Sequence, residues 1–254
     1  MKEYKLRNLG SIMRYSDFPG EKMPIIIIHG LGCAGSFDYT DMSFNPALGG
    51  HRKIVVDLLG AGYSDKPADF PYTVKAHAEY LKEFIEDLEI ERLIVYGHSL
   101  GGAVAIELAA LCGEKIEKLI LNEPNLEPSR SFEASYQIAH LSEDGWQTEL
   151  PQLIAKYERE GSTMWAATMR NWLPEALYRL SKDAASERHP SWKEMATGFD
   201  IPHTFIYGER TLPDNDYDDL VAKGEKVVVV KDAAHPMAWE MPDATARAVQ
   251  GIIE

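Results

Sequence analysis

One stretch of the chain, residues 92–112, is compatible with few folds, because an apolar strand must turn there directly into a helix. The run RLIVYG (92–97) is typical of a buried strand, and LGGAVAIELAALC (100–112) is typical of a buried helix. Between them lies Gly97-His98-Ser99-Leu100-Gly101. So sharp a turn raises the serine hydroxyl above the sheet, and the helix N-terminus directs free N–H groups toward developing negative charge. The pattern predicts Ser99 as a nucleophile; the alternative is a glycine-rich turn that only permits close packing.

The rest of the chain repeats this alternation of short apolar runs and helical patterns. Such alternation indicates a mostly parallel sheet covered by helices on both faces, so we predict an α/β fold. Strands are expected near residues 11–16, 24–29, 52–57, 92–97, 117–122, 203–208 and 226–231. Helices are expected near residues 74–88, 100–112 and 242–253.

Residues 124–201 interrupt the alternation, because they contain no convincing strand. The segment has a helical pattern, is punctuated by prolines and holds four of the five tryptophans of the chain. These residues are Pro128, Pro151, Pro174 and Pro190, with Trp146, Trp165, Trp172 and Trp192. A long insertion between two strands of such a sheet is usually a functional lid. We predict a core domain of residues 1–123 and 202–254 with a helical cap at 124–201, in which most tryptophans form the insertion's own core.

Of the eight histidines, His235 is the best placed to act as a base. It follows the last predicted strand, KVVVVK (226–231), and precedes the last predicted helix. A loop at that point can carry an imidazole across the strand ends to Ser99. Histidine accepts a proton near neutral pH and can return it to a leaving group. We therefore predict His235 as the general base for Ser99.

Four segments, in this order, resemble the α/β-hydrolase superfamily and its serine esterase-like branch. They are PIIIIHGLG (24–32), VVDLLGAGYSDKP (55–67), VYGHSLGG (95–102) and DAAHPMAWEMP (232–242). The resemblance implies an α/β-hydrolase fold with a helical cap insertion and a two-step acyl transfer through an acyl-enzyme on Ser99. A serine at the elbow argues against the epoxide hydrolase and haloalkane dehalogenase branches, which use aspartate there. The expected substrate is an ester of a small or medium-sized acyl group; thioesterase, amidase and carbon–carbon bond hydrolase activities stay open.

By the same resemblance, the backbone N–H groups of Leu31 and Leu100 form the oxyanion hole. Leu31 lies in the segment HGLG (29–32), which follows a predicted strand as the family's oxyanion loop does. Both donors are main chain, so the identity of their side chains matters little for charge stabilisation. His29 is expected to brace this loop, and the loop that begins at Asp57 is expected to buttress the site.

The triad acid is the irregular part of the pattern. The family usually carries an aspartate three positions after the glycine that ends the 203–208 strand, and here that position is Thr211. The earlier strand in LILNEPNL (119–126) ends at Glu123, where by resemblance some haloalkane dehalogenases carry their acid. We predict that Glu123 orients the histidine and stabilises its imidazolium, with Asp214 as the alternative acid. A Glu123 that only caps the next segment or pairs with a surface base is the remaining possibility.

Composition restricts the expected partners. The chain has 254 residues and a formal net charge of −14, so it repels phosphate backbones and anionic lipid headgroups. Neither nucleic acid nor a membrane is expected as a partner; a small molecule with an apolar acyl group is. Two cysteines cannot form a disulfide framework, and the cytoplasm is the expected location. No cofactor and no metal are expected, and the oligomeric state stays open.

Two other classes of function remain as distant alternatives. Residues 30–35 (GLGCAG) match G-x-G-x-x-G after a strand, and Asp57 follows about 20 residues later, as in a dinucleotide-binding fingerprint. That fingerprint should open a helix, however, and the segment that follows is broken at Pro46. An NAD(P)-dependent oxidoreductase is therefore a minor alternative. A non-catalytic ligand receptor is another, against which the intact serine, histidine and oxyanion loop argue.

Overall fold

The computed structural model describes all 254 residues, which are arranged around an eight-stranded sheet. All seven predicted strands are present, together with a short N-terminal strand that was not predicted. The strands are β1 (Lys2–Lys5), β2 (Ile12–Phe18), β3 (Lys22–Ile28), β4 (His51–Val56), β5 (Leu93–His98), β6 (Ile116–Asn122), β7 (His203–Gly208) and β8 (Val227–Val230). The sequence KEYK of β1 is mostly exposed, so no apolar alternation marks it as a strand.

The strand order across the sheet is β1-β2-β4-β3-β5-β6-β7-β8. β2 runs antiparallel to both β1 and β4, and every other neighbouring pair is parallel. Parallel neighbours need crossover connections, and helices supply them on both faces of the sheet. The predicted α/β fold with a mostly parallel sheet is confirmed.

The three helices expected near residues 74–88, 100–112 and 242–253 are confirmed. The helices are α1 (Gly35–Asp38), α2 (Thr40–Phe44), α3 (Val74–Asp87), α4 (Leu100–Cys112), α5 (Ala134–Ala139), α6 (Trp146–Arg159), α7 (Thr163–Met169), α8 (Pro174–Ala184), α9 (Trp192–Thr197), α10 (Asn215–Lys223), α11 (Met237–Glu240) and α12 (Pro242–Ile253). Short 3-10 turns lie at Pro46–Leu48, Gly113–Lys115 and Glu209–Thr211. None of the helices has the length and apolar character that crossing a bilayer demands.

The sheet separates two apolar layers. Along β3, Ile26 and Ile28 face the layer that contains α3 and α4, whereas Ile25 and Ile27 face the layer that contains α12. This is the two-residue period of a strand that is buried on both faces. All six residues of β5 are buried as well. The central strands therefore give the turns at their carboxyl ends a rigid base.

Residues 124–201 leave the sheet after β6 and return to it at β7. They contain α5 to α9 and no strand. Trp172 and Trp192 are buried in the same apolar layer as α3 and α4, and Trp146 and Trp165 pack against that layer. The tryptophans therefore do not form a core of their own, because the insertion shares one continuous apolar layer with the sheet.

Candidate active site

Ser99 lies in the sharp turn between β5 and α4. Its backbone has φ 53°, in the left-handed region that non-glycine residues rarely adopt and that stores strain. Gly101 makes the turn possible, because a Cβ there would lie 2.3 Å from the carbonyl oxygen of His29. The Ser99 N–H donates to the carbonyl of Asn122 at 2.9 Å, which ties the turn to β6. This geometry places Ser99 at the carboxyl end of the sheet, where it lines a cavity.

The cavity has a volume of about 860 Å³, and both parts of the chain contribute to its walls. Ser99, Glu123 and His235 line it from the ends of the strands. Phe132 and Met164 line it from the insertion, and both side chains are exposed. A cavity of this size suits a small organic ligand, and its rim offers apolar surface.

The structure brings Glu123 to His235. Nδ1 of His235 lies 3.4 Å from Oε2 of Glu123. Oε1 of the same carboxylate accepts the N–H of Gly208 at 2.7 Å and the hydroxyl of Thr211 at 2.6 Å. The Glu123 side chain is only 8% exposed, and its φ of 46° makes it a second strained residue at this end of the sheet. A carboxylate fixed beside Nδ1 can hold the imidazole in the tautomer whose Nε2 accepts a proton.

Asp214, the alternative acid, has other partners. Its carboxylate caps α10 by accepting two backbone N–H groups, and it pairs with Arg130 at 3.0 Å. It makes no hydrogen bond or ion pair with His235. Thr211 occupies the position where the family usually has an aspartate, and its hydroxyl donates to Glu123. The usual acid position and the predicted acid are therefore joined by a hydrogen bond.

Ser99 and His235 line the same cavity without a hydrogen bond between them. The Ser99 hydroxyl donates instead to Oδ1 of Asn125 at 3.4 Å. The side-chain amide of Asn125 donates in turn to Glu133 at 3.3 Å. A hydrogen bond from Ser99 to His235 would first require the serine hydroxyl to leave Asn125. Such contacts are often long in unliganded enzymes and shorten when substrate binds.

A buried hydrogen-bond chain lies behind Ser99, and sequence reasoning missed it. The N–H of Gly30 donates to the hydroxyl of Tyr39 at 3.3 Å, and that hydroxyl lies 2.5 Å from Nδ1 of His98. Nε2 of His98 lies 2.9 Å from the carbonyl oxygen of His235. Burial lowers the pKa of His98 well below its ordinary value, so the neutral ring accepts at Nδ1 and donates from Nε2. The chain joins three loops of the site, and no sequence signal marks Tyr39 for this role.

Leu31 and Leu100, the predicted oxyanion donors, both line the cavity beside Ser99. Leu100 is the first residue of α4, so its N–H has no carbonyl partner within the helix. The N–H of Leu31 has no acceptor in the protein. Two backbone N–H groups without acceptors thus lie beside the Ser99 turn, and an oxyanion hole is made of such groups.

His29 and Asp57 hold neighbouring loops and do not line the cavity. Nε2 of His29 accepts the N–H of Leu58 at 3.0 Å, and burial lowers the pKa of His29, which keeps the ring neutral. The Asp57 carboxylate accepts the N–H and hydroxyl of Ser36 and the N–H of Tyr63. Asp57 is therefore not free to bind a ribose, and the glycine-rich loop opens only the four-residue α1. The strand–loop–helix unit of a dinucleotide site is not formed here.

Acidic side chains dominate the charge of the cavity wall. Six carboxylates and one guanidinium line it, those of Glu123, Glu127, Glu133, Asp214, Asp216, Glu240 and Arg130. Arg130 is already paired with three of these carboxylates. No group of three or more histidine, cysteine, aspartate or glutamate side chains is arranged to hold a metal ion. Lys193 pairs with Glu127 and Asp216 from outside the lining. Carboxylates still outnumber these two cations, which disfavours anionic ligands.

Comparison with known proteins identifies the family. The profile of the alpha/beta hydrolase fold family matches residues 23–172, more than half of the chain. Esterase YbfF of Escherichia coli (strain K12) is 25% identical over 237 residues, which cover 89% of this chain and 91% of that protein. The 2-hydroxymuconate semialdehyde hydrolase of Pseudomonas sp. (strain CF600) is 32% identical over 103 residues, 40% of this chain and 36% of that protein.

Solved structures share the fold over nearly the whole chain. The esterase from Exiguobacterium antarcticum superposes with a TM-score of 0.81 at 17% identity and covers 99% of both chains. A thermophilic esterase from Thermogutta terrifontis superposes with a TM-score of 0.79 at 19% identity, covering 100% of this chain and 98% of that one. The resemblance predicted from four sequence segments is confirmed. This chain therefore belongs to the alpha/beta hydrolase fold family.

Proposed function

We propose that the protein is a serine hydrolase that cleaves a carboxylic ester through an acyl-enzyme on Ser99. The observation that carries the proposal is the meeting of three features at one cavity. They are a strained serine in the elbow, a histidine beside a fixed carboxylate, and two unpaired backbone N–H groups. The esterase relative from Escherichia coli, aligned over 89% of the chain, supports an ester as the substrate.

The first half-reaction forms the acyl-enzyme. Nε2 of His235 takes the proton of Ser99 while the serine oxygen attacks the ester carbonyl. The N–H groups of Leu31 and Leu100 receive the negative charge that develops on the carbonyl oxygen. Glu123, beside Nδ1, stabilises the imidazolium. His235 then gives its proton to the leaving alkoxide as the carbon–oxygen bond breaks, and the acyl group stays on Ser99.

The second half-reaction releases the acid. His235 takes a proton from a water molecule, whose oxygen attacks the acyl carbonyl while the same backbone groups hold the oxyanion. The imidazolium returns this proton to the oxygen of Ser99 as the acyl–serine bond breaks. The products are a carboxylic acid and the free enzyme.

The cavity wall favours a neutral ester with an apolar acyl group. Phe132 and Met164 supply apolar surface at the rim, and the acidic lining repels carboxylate-bearing substrates. We assign residues 124–201 the role of a cap over a core of residues 1–123 and 202–254. In this assignment the cap walls the acyl pocket, as expected for a site at the carboxyl ends of parallel strands.

The test is a panel of p-nitrophenyl esters of graded acyl length, assayed with wild type, Ser99→Ala and Ser186→Ala. Ser186 is exposed and lies outside the cavity, so it controls for the substitution itself. Ser99→Ala should lose at least about 10⁴-fold in kcat, whereas Ser186→Ala should match wild type. Thioester, anilide and diketone substrates with the same acyl group show which bond is cleaved fastest. Full ester hydrolysis by Ser99→Ala would contradict the proposal.

A further inference from the structure

One short segment of the insertion is bonded to the loop that carries Leu31. We call residues 163–172, α7 and the turn after it, the strap, and residues 30–38 the oxyanion loop. Nε1 of Trp165 donates to the carbonyl of Leu31 at 2.9 Å. Nε1 of Trp172 donates to the carbonyl of Cys33 at 2.8 Å. Two indoles of the strap thus bind successive parts of the oxyanion loop.

A third side chain of the strap reaches the far end of the same loop. The hydroxyl of Thr168 lies 3.3 Å from Oδ1 of Asp38, whose Oδ2 accepts the N–H of Ala34 at 2.8 Å. Trp165 and Thr168 are spaced i and i+3 on α7, which places them on one face of the helix, and Trp172 lies in the turn that follows. The helix and the turn that follows it therefore present three polar side-chain groups to the oxyanion loop.

The strap also packs directly on the loop backbone at Gly32. This residue has φ 74°, and a Cβ on it would lie 2.6 Å from Nε1 of Trp165 and 2.6 Å from Cγ of Met169. Only glycine permits both the conformation and the contact. The glycine lies between the two carbonyls that accept the indole N–H groups. The backbone that follows Leu31 is thus held by packing as well as by hydrogen bonds.

We propose that the strap sets the position of the oxyanion donor, and that Trp165, Thr168 and Trp172 are positioning residues for the hydrolytic reaction. The N–H and the carbonyl of Leu31 belong to adjoining peptide units, so a fixed carbonyl and a packed Gly32 restrict rotation of the donor. A donor displaced by about 1 Å stabilises the tetrahedral intermediate far less well, at a cost that can reach 10²-fold. That this loop contributes to an oxyanion hole rests on the proposed function.

Trp172→Phe gives the cleanest test, because Trp172 is 3% exposed and does not line the cavity. The variant removes the indole N–H group and part of the ring, which packs edge-on against His29, at a position that does not line the cavity. We expect kcat to fall about tenfold while KM stays within about twofold, since the donor acts on the tetrahedral state. Affinity for an alkyl boronic acid, which forms a tetrahedral adduct with a serine, should fall by the same factor as kcat/KM.

Two further variants grade the effect. Trp165→Phe should lower kcat at least as much as Trp172→Phe, because its bond is made to Leu31 itself. It should also change KM, because Trp165 lines the cavity. The hydroxyl of Thr168 lies 3.3 Å from Asp38 and 3.2 Å from the carbonyl of Met164, so it is the weakest of the three contacts. Thr168→Val should therefore lower kcat by only about threefold.

Trp192→Phe is the matched control. Trp192 is fully buried in the insertion, and its Nε1 donates to Glu107 at 3.1 Å, away from the cavity. The substitution deletes the same atoms and a similar bond, so it should lower the melting temperature without changing kcat. All variants are compared at a temperature at which circular dichroism shows them folded.

Three results would overturn the proposal. One is an unchanged kcat in Trp172→Phe; another is an equal loss in Trp192→Phe. The third is a lower kcat with unchanged boronate affinity, because the adduct needs the same donors. If Trp172→Phe does not fold, Thr168→Val and Trp165→Phe decide by the same criteria.

Hydrogen exchange separates this proposal from the proposed function. Amides of residues 30–38 should exchange faster in the strap variants than in Trp192→Phe, and this holds whether or not Ser99 is the nucleophile. Activity retained in Ser99→Ala would reject the proposed function alone. Equal exchange in all variants would reject the strap alone.

Discussion

The cavity has a floor, formed by the ends of the strands, and a wall, formed by the insertion, and the two are held in place in different ways. The floor, at the carboxyl ends of β5 and β6, is set by the backbone: His98 pairs with Asn122 in the parallel ladder, so Ser99 and Glu123 follow side by side. Both residues have strained backbones on top of buried strands. The wall from the insertion is held to the core by side-chain bonds such as that of Trp165, and its rim is exposed. The backbone of the sheet thus fixes Ser99 and Glu123, whereas the insertion contributes side chains; under the proposed function these position the oxyanion loop and select the acyl group.

The largest effect is expected at Glu123, the proposed triad acid in the floor of the cavity. Glu123→Gln should lower kcat by about 10²- to 10⁴-fold, because an amide opposite Nδ1 of His235 no longer stabilises the imidazolium. Asp214→Asn is the matched control and should keep kcat within about threefold. It should cost at most about 1 kcal/mol of stability through the lost ion pair with Arg130, because asparagine caps a helix about as well as aspartate. The reverse order of the two losses would transfer the role of acid to Asp214.

A stability effect is expected at Asp38, where core and insertion meet. Burial raises the pKa of Asp38 from its ordinary value of 3.8 to about 6. The folded state therefore binds this proton more tightly than the unfolded state, and stability is lost as pH rises from about 4 through about 6. The loss is about 2–3 kcal/mol. The measurement is urea unfolding of wild type and Asp38→Asn at pH 4 and pH 7. The free energy of unfolding of the variant, relative to wild type, should be about 2–3 kcal/mol higher at pH 7 than at pH 4. A difference between the two proteins that is independent of pH would refute the raised pKa.

A smaller effect should follow from moving the carboxylate from position 123 to position 211. Because the hydroxyl of Thr211 lies 2.6 Å from Oε1 of Glu123, an aspartate at 211 puts a carboxylate close to the one removed. Glu123→Gln combined with Thr211→Asp should regain about tenfold in kcat over Glu123→Gln alone. Glu123→Gln combined with Thr211→Asn is the neutral control and should recover none of the lost kcat. Equal rates for the two double variants would mean that no carboxylate at 211 can serve His235.

The smallest effect is expected at the rim of the insertion. Phe132→Ala and Met164→Ala should each lower kcat/KM for an octanoate ester by about three- to tenfold through lost apolar contact. The acetate ester should be hydrolysed at nearly the wild-type rate, because its acyl group is too short to reach the rim. Phe44→Ala removes an exposed aromatic ring outside the cavity and should change neither. Equal losses of kcat/KM for the two esters would show that Phe132 and Met164 do not contribute to a preference for acyl length.

Sequence patterns predicted the floor better than the wall. A strand, a glycine-bounded serine and a helix constrain the backbone locally, so the position of Ser99 followed from residues 92–112 alone. Glu123 was predicted from the resemblance, because the usual aspartate position is Thr211 and Glu123 ends an earlier strand; the structure places it beside Ser99 because β5 and β6 are neighbours. β1 escaped prediction because four mostly exposed residues pair as a strand only when β2 is beside them.

Long-range side-chain bonds could not be predicted in the same way. Trp165 and Leu31 are far apart in the chain. A seven-residue spacing between two tryptophans does not indicate which carbonyl groups accept their indole N–H groups. Tyr39 lies in a region that reads as a poor helix, yet its hydroxyl connects Gly30 to His98. Such contacts depend on how the insertion packs on the sheet, which single-sequence periodicity does not encode.

The most direct test of the central claim is to trap the covalent intermediate. Wild-type protein is mixed with a p-nitrophenyl ester, quenched in acid during turnover, digested and analysed by mass spectrometry. We expect up to one acyl group per chain on the peptide that contains Ser99, and none in Ser99→Ala or in wild type quenched after the ester is exhausted. Continued hydrolysis with no acylated peptide, or an acyl group on another residue, would contradict it.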